Sequence, residues 1–560
     1  MKRQYLIVVA VGLITGFSGC DYLDTKIDTR ITPEVLNSDY SKLADLGYAP
    51  YTYIRNGFYL MDNNIPAAMS NEAEQTAPSS NVQRFNDGSW NAYNNPDNPY
   101  SYYYQGIRAA NFFLEYSIDY KNQLAHNRDT ISDRAYQYRL DVADIGWMRG
   151  EAHILRAFFY YDLIKRYGGV PLVTKTLSLT DNLDLPRTDY NTLVDFIVSE
   201  IDNYTDSLQA KWKNYDSSNK DGYDLERDGR FTKGAALALK SRVLLYAASP
   251  LHNESNDLSK WAKAAQAAHD VIALNQYSLS SNYQQLFLES NSTTDNEIIW
   301  SIRAGATNSM EKANYPIGTP GGNSGVTPSQ NLVSEYEYTG APNPNNPYAN
   351  RDPRLGFSIV TNNSAWNGRT IEIWSGGVDS WSNTNTSKTG YYLKKFLIDN
   401  LYLTQNETRI HNWVMFRYAE ILLNYAEAMN EAYGPDQDNG YGLTARAAVN
   451  MVRNRTGVKM PAVVAANQSE MRDKIKHERK IELAFEDHRY WDLLRWKDAE
   501  TELNQPLRGV KATKNGDGSF SYTEFNVENR VFVAPKMYYY PIPDAEIKKS
   551  NGILKQNPEW

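Results

Sequence analysis

Twelve tryptophans punctuate this chain of 560 residues. Those lying in loops have the shape for non-covalent recognition of a sugar-like ligand. A flat indole matches the C–H face of a pyranose ring, and Asn, Asp, Glu or Arg matches its hydroxyl edge. Trp is the best such platform because its area is large and its rotamer cost small. Trp90 lies in Asn86-Asp87-Gly88-Ser89-Trp90-Asn91, a polar loop without helical neighbours. Trp366, Trp374 and Trp381 fall in a stretch rich in Gly, Asn and Ser, with Tyr315 upstream. Trp366-Asn367-Gly368 also reads as a turn beside a packed ring. Trp147, Trp261, Trp413, Trp491 and Trp496 fall on helical spacing, and Trp300 falls in a strand-like run. Core packing accounts for those six.

Covalent chemistry is weakly represented. Glu482 and Glu486 are four apart, on one face of a predicted helix. Glycoside hydrolysis needs two carboxyls across a cleft, one with a raised pKa. No accompanying motif supports that role, and Arg156, Arg417, Glu420, Glu478, Arg479 and Glu482 read instead as ion networks that fix helix packing. The seven histidines, His126, His153, His252, His269, His411, His477 and His488, are scattered. They form no HExxH and have no C-x-x-C partner, so the sequence offers no transition-metal set. The segment around Asn219-Lys220-Asp221-Gly222 is faintly similar to a calcium loop. Its first position is Ser217 and its last is Asp228 where Glu is usual, which reads as a solvated loop. Gly321-Gly322-Asn323-Ser324-Gly325-Val326 ends in Val where a nucleophile elbow needs Gly. It lacks a phosphate-loop Lys, so neither a nucleotide nor another cofactor is expected.

The first twenty residues set the location. Lys2 and Arg3 precede an apolar run from Tyr5 to Ile14, then Gly16-Phe17-Ser18-Gly19-Cys20. This is the layout of a secretory signal peptide, too short for a membrane span. Its small-small-Cys end resembles a bacterial lipobox, with Phe17 where Leu is common. Cleavage before Cys20 would leave a lipidated N-terminus, a tethered body, and no thiol for a disulfide. It would also remove two positive charges from a formal −8 and leave −10. An acidic surface lacks the basic footprint that nucleic acid requires. Tyr (42) and Trp (12) together far exceed Phe (17), a bias toward amphipathic, wet recognition surfaces.

Helical elements must position these loops. Leu155, Phe158, Phe159 and Leu163 mark a helix over Gly146–Tyr167 that stops at Gly168-Gly169. Thr188–Leu208 is another. Thr232–Ala248 and Ser259–Leu274 form an alanine-rich pair, and Trp413–Tyr433 with Thr444–Arg455 a second. Gln468–Glu500 predicts further helix. Pairs of roughly 34 residues are similar to tetratricopeptide repeats. Between Asn275 and Ile410 the helical spacing vanishes, and only short strands such as Glu297–Ile302 and Thr370–Trp374 are expected. Asn56–Tyr104 has a similar texture.

Several segments carry a family resemblance. Arg156-Ala157-Phe158-Phe159-Tyr160-Tyr161-Asp162-Leu163 with Tyr167-Gly168-Gly169-Val170-Pro171-Leu172 is similar to a signature of the SusD/RagB family. So are Arg417-Tyr418-Ala419-Glu420-Ile421-Leu422-Leu423-Asn424-Tyr425-Ala426-Glu427-Ala428, and Glu478-Arg479-Lys480-Ile481-Glu482-Leu483-Ala484-Phe485-Glu486 through Trp496. Asn350-Arg351-Asp352-Pro353-Arg354 and the end, Tyr540-Pro541-Ile542-Pro543 to Gln556-Asn557-Pro558, complete an ordered match. The resemblance implies a mainly α fold: a tetratricopeptide-like helical-repeat core with a large loop-rich subdomain containing short strands. It implies a signal peptide over 1–19, a lipidated tether over 20–37 and an N-terminal region with helical repeats over 38–274. A loop-rich ligand-binding insertion over 275–410 and a C-terminal helical-repeat region over 411–560 would follow.

The family consists of outer-membrane lipoproteins of Bacteroidetes that sit as lids on a SusC-type TonB-dependent barrel and deliver nutrients, usually oligosaccharides. By that resemblance the loop before the first long helix gives Glu72 (in Ser70-Asn71-Glu72, where Asp often stands second), Arg84, Trp90 and Asn94. The insertion gives Tyr315, Trp366, Trp374 and Trp381. The expected protein is a non-catalytic glycan-binding lipoprotein, anchored to the outer membrane and facing the exterior. A peptide- or amino-sugar-binding lid is the first alternative, and a secreted glycoside hydrolase the second.

Overall fold

A computed structural model describes residues 39–212, 227, 229–288, 295–380 and 385–560. The leader, Cys20, the tether, the calcium-like segment apart from Arg227, and Trp381 lie outside the described residues.

The principal helices are α1 (Tyr40–Tyr48), α2 (Tyr100–Tyr116), α3 (Tyr136–Tyr167), α4 (Tyr190–Tyr204) and α5 (Lys233–Ala248). They continue as α6 (Leu258–Ala273), α7 (Tyr418–Tyr433), α8 (Ala445–Arg453), α9 (Gln468–Glu482) and α10 (Arg489–Trp496). Their starts follow side-chain capping. Asp189, Thr232, Asp257, Thr444 and Asn467 each accept a backbone N–H of the first turn. α3 stops at Gly168, whose φ of 69° suits a residue without a Cβ.

Consecutive helices pack on one another from α2 through α8, and α9 returns against α7. Alanines at 235, 236, 238, 264, 265, 267 and 268 are buried, which lets α5 and α6 approach closely. α6 packs directly on α7, although the whole loop-rich segment lies between them in sequence. The helical stack is therefore continuous in space, and the insertion leaves it and rejoins it. The insertion has its own apolar core, including Phe58, Tyr315, Trp366, Tyr391, Phe396 and Trp413.

The sheets among the described residues are two-stranded. β1 (Ala73–Gln75) pairs antiparallel with β3 (Val326–Pro328), and β2 (Ile298–Ile302) with β4 (Trp413–Arg417). β5 (Leu507–Lys514) and β6 (Phe520–Glu528) form a hairpin.

The structure corrects several expected elements. Trp413–Arg417 is a strand, because aromatic and β-branched residues there pair with β2 before α7 begins. Gln468–Glu500 is broken between α9 and α10, where Phe485 and Asp487 take positive φ of 67° and 62°. Thr370–Trp374 contributes only the end of a two-residue strand, Arg369–Thr370. The hairpin of β5 and β6 stands in a region expected to be helical.

The charged signature residues weld insertion to helices. Arg417 contacts Glu297 and Glu482 at 2.7 Å each through Nη1, and Glu486 at 2.7 Å through Nε. Arg455 joins Glu297 to Glu482, and Arg354 joins Asp352, Glu478 and Glu482. Every one of these groups is buried, so each charge depends on its partners.

Candidate functional site

The antiparallel pairing of β1 with β3 brings the two predicted loop regions together. The register sets Ala73 opposite Pro328 and Gln75 opposite Val326. Thr76 N–H donates to the Gly325 carbonyl at 2.8 Å, extending the seam. Asn64 and Asn314 exchange side-chain amide hydrogen bonds at 2.9 and 3.0 Å beneath it.

Glu74, fully buried on β1, gathers the surrounding segments. Its carboxylate accepts from Gln83 Nε2 at 2.7 Å and Arg530 Nη2 at 2.8 Å, and Lys388 Nζ lies 3.5 Å away. Burial would raise its pKa, but Arg530, the hydrogen bonds from Glu528 and Gln83, and Lys388 together outweigh this and hold it below the usual range. Its neighbour Glu528 is pushed the other way, up to about 7, by burial and by its hydrogen bond to Glu74. Around pH 7 Glu528 is therefore about half protonated, and its proton, when present, joins β6 to β1.

Above this base the rim is rich in amides. Asp62 fixes the Ser80–Asn81 turn, accepting from Ser80 Oγ at 2.5 Å and from Asn81 N and Nδ2 at 2.6 Å. Asn385 Nδ2 reaches Asn323 Oδ1 at 3.4 Å. Asp379 is buried and braces the next loop, accepting both terminal nitrogens of Arg369, Gly318 N–H at 3.0 Å and Glu372 N–H at 2.9 Å.

The predicted site residues separate into two groups. Trp374 is half-buried, its backbone N–H donated to Asn362 Oδ1 at 3.1 Å and its ring 4.8 Å from Lys514 Nζ. Arg84 is half-buried and has no carboxylate partner among the described residues. Asn94 is exposed beside Tyr93, which is 78% exposed. Nothing in the described contacts joins Asn94 to Trp374. Asn94 stands near the C-terminal helix, where Asp544 N–H bonds the Ala92 carbonyl, and Trp374 stands by β5.

The other group is structural. Trp90 is only 2% exposed, among Trp560, Phe85 and Tyr540 at 4.6, 4.8 and 5.0 Å between ring centroids. Its loop is polar, but the ring turns inward to the C-terminal segment. Tyr315 is fully buried, edge-on to Trp366 at 5.2 Å, and its hydroxyl donates to the Ile398 carbonyl. Trp366 is buried with it, and Asn367 and Gly368 form a turn with φ of 56° and 71°. Glu72 is buried, and accepts Phe485 N–H at 3.1 Å. Burial pushes its carboxyl up to about 7. Neighbouring Asn71 donates to Glu502 and accepts from Arg489. Trp90, Asn71 and Glu72 dock the first loop on the segment around α10 and on the C-terminus, Tyr315 and Trp366 pack within the insertion, and none of Trp90, Tyr315, Trp366 and Glu72 is a surface platform.

Sequence reasoning missed Glu74, Gln83, Asn323, Asn385 and Lys388. Only pairing across the β1–β3 seam gathers them. Exposed Tyr93, beside Asn94 in the predicted loop, is a further ring that the sequence offered.

Glu482 and Glu486 are committed to arginines. Burial would raise both, but Arg455, Arg417 and Arg354 hold Glu482 down to about 2, and Arg417 and Lys395 hold Glu486 below the usual range. Neither has a proton to give a leaving group near neutral pH.

Residues 296–560 match the model of the SusD family, and residues 21–245 match a model described as starch-binding associating with outer membrane. A SusD-like protein of Formosa agariphila is 28% identical over 375 residues, covering 64% of this chain and 68% of that one. A solved SusD-like protein from Bacteroides fragilis NCTC 9343 is 27% identical with a TM-score of 0.73, covering 94% of this chain and 98% of that one. A SusD-like carbohydrate binding protein from the same strain has the same TM-score at 22% identity, covering 93% and 99%, a likeness of fold. With the two matched segments flanking the insertion's start, and the helical stack continuous behind them, the chain belongs to the SusD family.

Proposed function

We propose that this chain is a non-catalytic, cell-surface glycan-binding lipoprotein, tethered through Cys20 to the outer membrane, that hands an oligosaccharide to a SusC-like TonB-dependent transporter. The observation that carries glycan binding is the meeting of three loops around buried Glu74, which exposes an amide-rich rim. Arg84 follows Gln83 in the first of these loops and has no carboxylate partner among the described residues, and the half-exposed Trp374 ring belongs to the loop braced by Asp379. Amides and an unpaired guanidinium suit sugar hydroxyls, and the indole suits a ring face. Trp381 belongs to the same loop in sequence and is part of the proposal. The description of the family model as starch-binding, and a relative known as carbohydrate binding, agree with this assignment. The commitment of Glu482 and Glu486 to arginines supports binding without cleavage.

Few rings and a handful of net hydrogen bonds of about 1 kcal/mol each imply affinities between millimolar and micromolar, about −4 to −8 kcal/mol. Weak binding suits a protein that must release its cargo. Calorimetry with a panel of neutral oligosaccharides tests the assignment. Trp374→Ala combined with Arg84→Ala should weaken binding about tenfold or more while melting stays within a degree or two. Unchanged affinity in the double variant would remove this site, and release of reducing ends would remove the non-catalytic role.

A further inference from the structure

A second concavity, remote in sequence from the rim, has the composition of a ligand site. It is a cleft of about 720 Å³. Its walls come from the end of α3, the entry to α4, the α5–α6 turn, the end of α10 and the C-terminal segment. That volume lies within the usual range for small-ligand pockets. Three tyrosines, Tyr190, Tyr538 and Tyr539, form much of the wall. Tyr190 is stacked on His252 at 3.6 Å, and the Tyr539 hydroxyl meets His252 Nδ1 at 3.3 Å, so both rings are fixed in place.

Three cations, Arg187, Lys497 and Lys536, face two carboxylates, Glu254 and Glu500, in the lining of this cleft. Arg187 lines the cleft and gives Nε, Nη1 and Nη2 to the carbonyls of Gly169, Lys555 and Tyr167. A guanidinium has five N–H groups, so one on each terminal nitrogen remains. Arg187 has no carboxylate partner among the described residues. Lys536 lies 4.3 Å from the Trp560 ring and also has none. Lys497 meets Glu254 only at 3.8 Å, with both side chains largely in solvent. In a chain of formal charge −8, a cleft whose lining carries one more cation than carboxylate is set apart.

We propose that this cleft binds an anionic saccharide, a uronic-acid unit whose carboxylate meets Arg187, Lys497 and Lys536 while its ring lies on the tyrosine wall. The free ends of the guanidinium suit a planar carboxylate. No strand borders the cleft, so an extended peptide would find no edge to pair with. The assignment is independent of the Trp374 rim, and a chain could carry both sites.

The test uses the full chain and a galacturonic acid trimer, with the neutral galactose trimer and an acidic tripeptide as controls. Calorimetry should show binding of the uronate trimer that weakens as salt rises from ~0.05 to ~0.3 M. Lys497→Glu with Lys536→Glu, both at the solvent edge, should weaken it about tenfold or more without moving the melting temperature. Trp374→Ala should leave it unchanged, which separates this site from the rim. Arg187→Lys should also weaken it, because the fork is lost while the charge stays. Equal binding of the galactose trimer or the tripeptide would overturn the proposal. So would unchanged affinity in the double variant, or no heat from the uronate trimer at ~10 mM.

Discussion

Trp90→Ala separates a structural ring from a ligand platform, and its cost follows from the packing. The indole is 2% exposed and touches three other aromatic rings. A buried Trp removes ~150–250 Å² from water, worth about 4–6 kcal/mol at ~25 cal/mol per Å². Measured Trp-to-Ala losses of about 3–5 kcal/mol include the cavity left behind, so about 4 kcal/mol is the expected figure. A 250-residue unit loses ~2 °C for each kcal/mol and a longer one less, which bounds the drop in melting temperature at about 8 °C. Trp90→Phe should recover part of the loss. Thermal melting by circular dichroism gives the shift, and calorimetry well below the transition gives the affinity for a neutral glycan. Trp90→Ala should melt early and still bind. Trp374→Ala should melt normally and bind weakly. If Trp90→Ala melts like the parent chain and loses ligand, the ring faces outward and the packing argument fails.

Other perturbations follow from buried charge. Arg417→Ala strands Glu297, Glu482 and Glu486 without their shared cation and should cost about 3–5 kcal/mol, read as early melting and low soluble yield; wild-type melting would refute it. Glu72, raised from 4.5 to about 7, is protonated in the fold and ionised in the unfolded chain between those values. Stability therefore falls as pH rises through that window, by about 3 kcal/mol from this group, and Glu72→Gln should flatten the fall seen in melting against pH. Asp97 and Glu482, both held down to about 2, act oppositely. Their contribution is present above the unfolded carboxylate range and is lost as pH falls from ~4.5 toward 2. Glu74→Ala should release Gln83 and Lys388 and loosen the rim. Hydrogen exchange should rise over residues 76–84 and 385–388, and unchanged protection there would count against Glu74 as the tie.

The helices were legible because their signals are local. α5 and α8 start directly after Thr232 and Thr444, where their helices were expected to begin, Gly168 stops α3 where predicted, and alanine spacing marks α5 and α6. Trp413–Arg417 was not legible, since an apolar pentapeptide fits helix or strand until β2 supplies a partner. The arginine and glutamate signatures were readable as ion networks, but not their partners. Glu297 and Glu482 are far apart in sequence and meet only through Arg417 and Arg455.

The sequence by itself determined the family, the alternation of helical repeats with a loop-rich insertion, and the structural character of the charged motifs. Capping, periodicity and ordered signatures are all properties of neighbouring residues. Only the tertiary structure decided which rings face water. Burial depends on what the rest of the chain lays over a loop: Trp560 and Tyr540 cover Trp90, while Trp374 stays half-buried among the described residues. The same dependence on distant segments made Glu74 the centre of the rim and left Arg187 bonded to three backbone carbonyls, with no ion pair among the described residues.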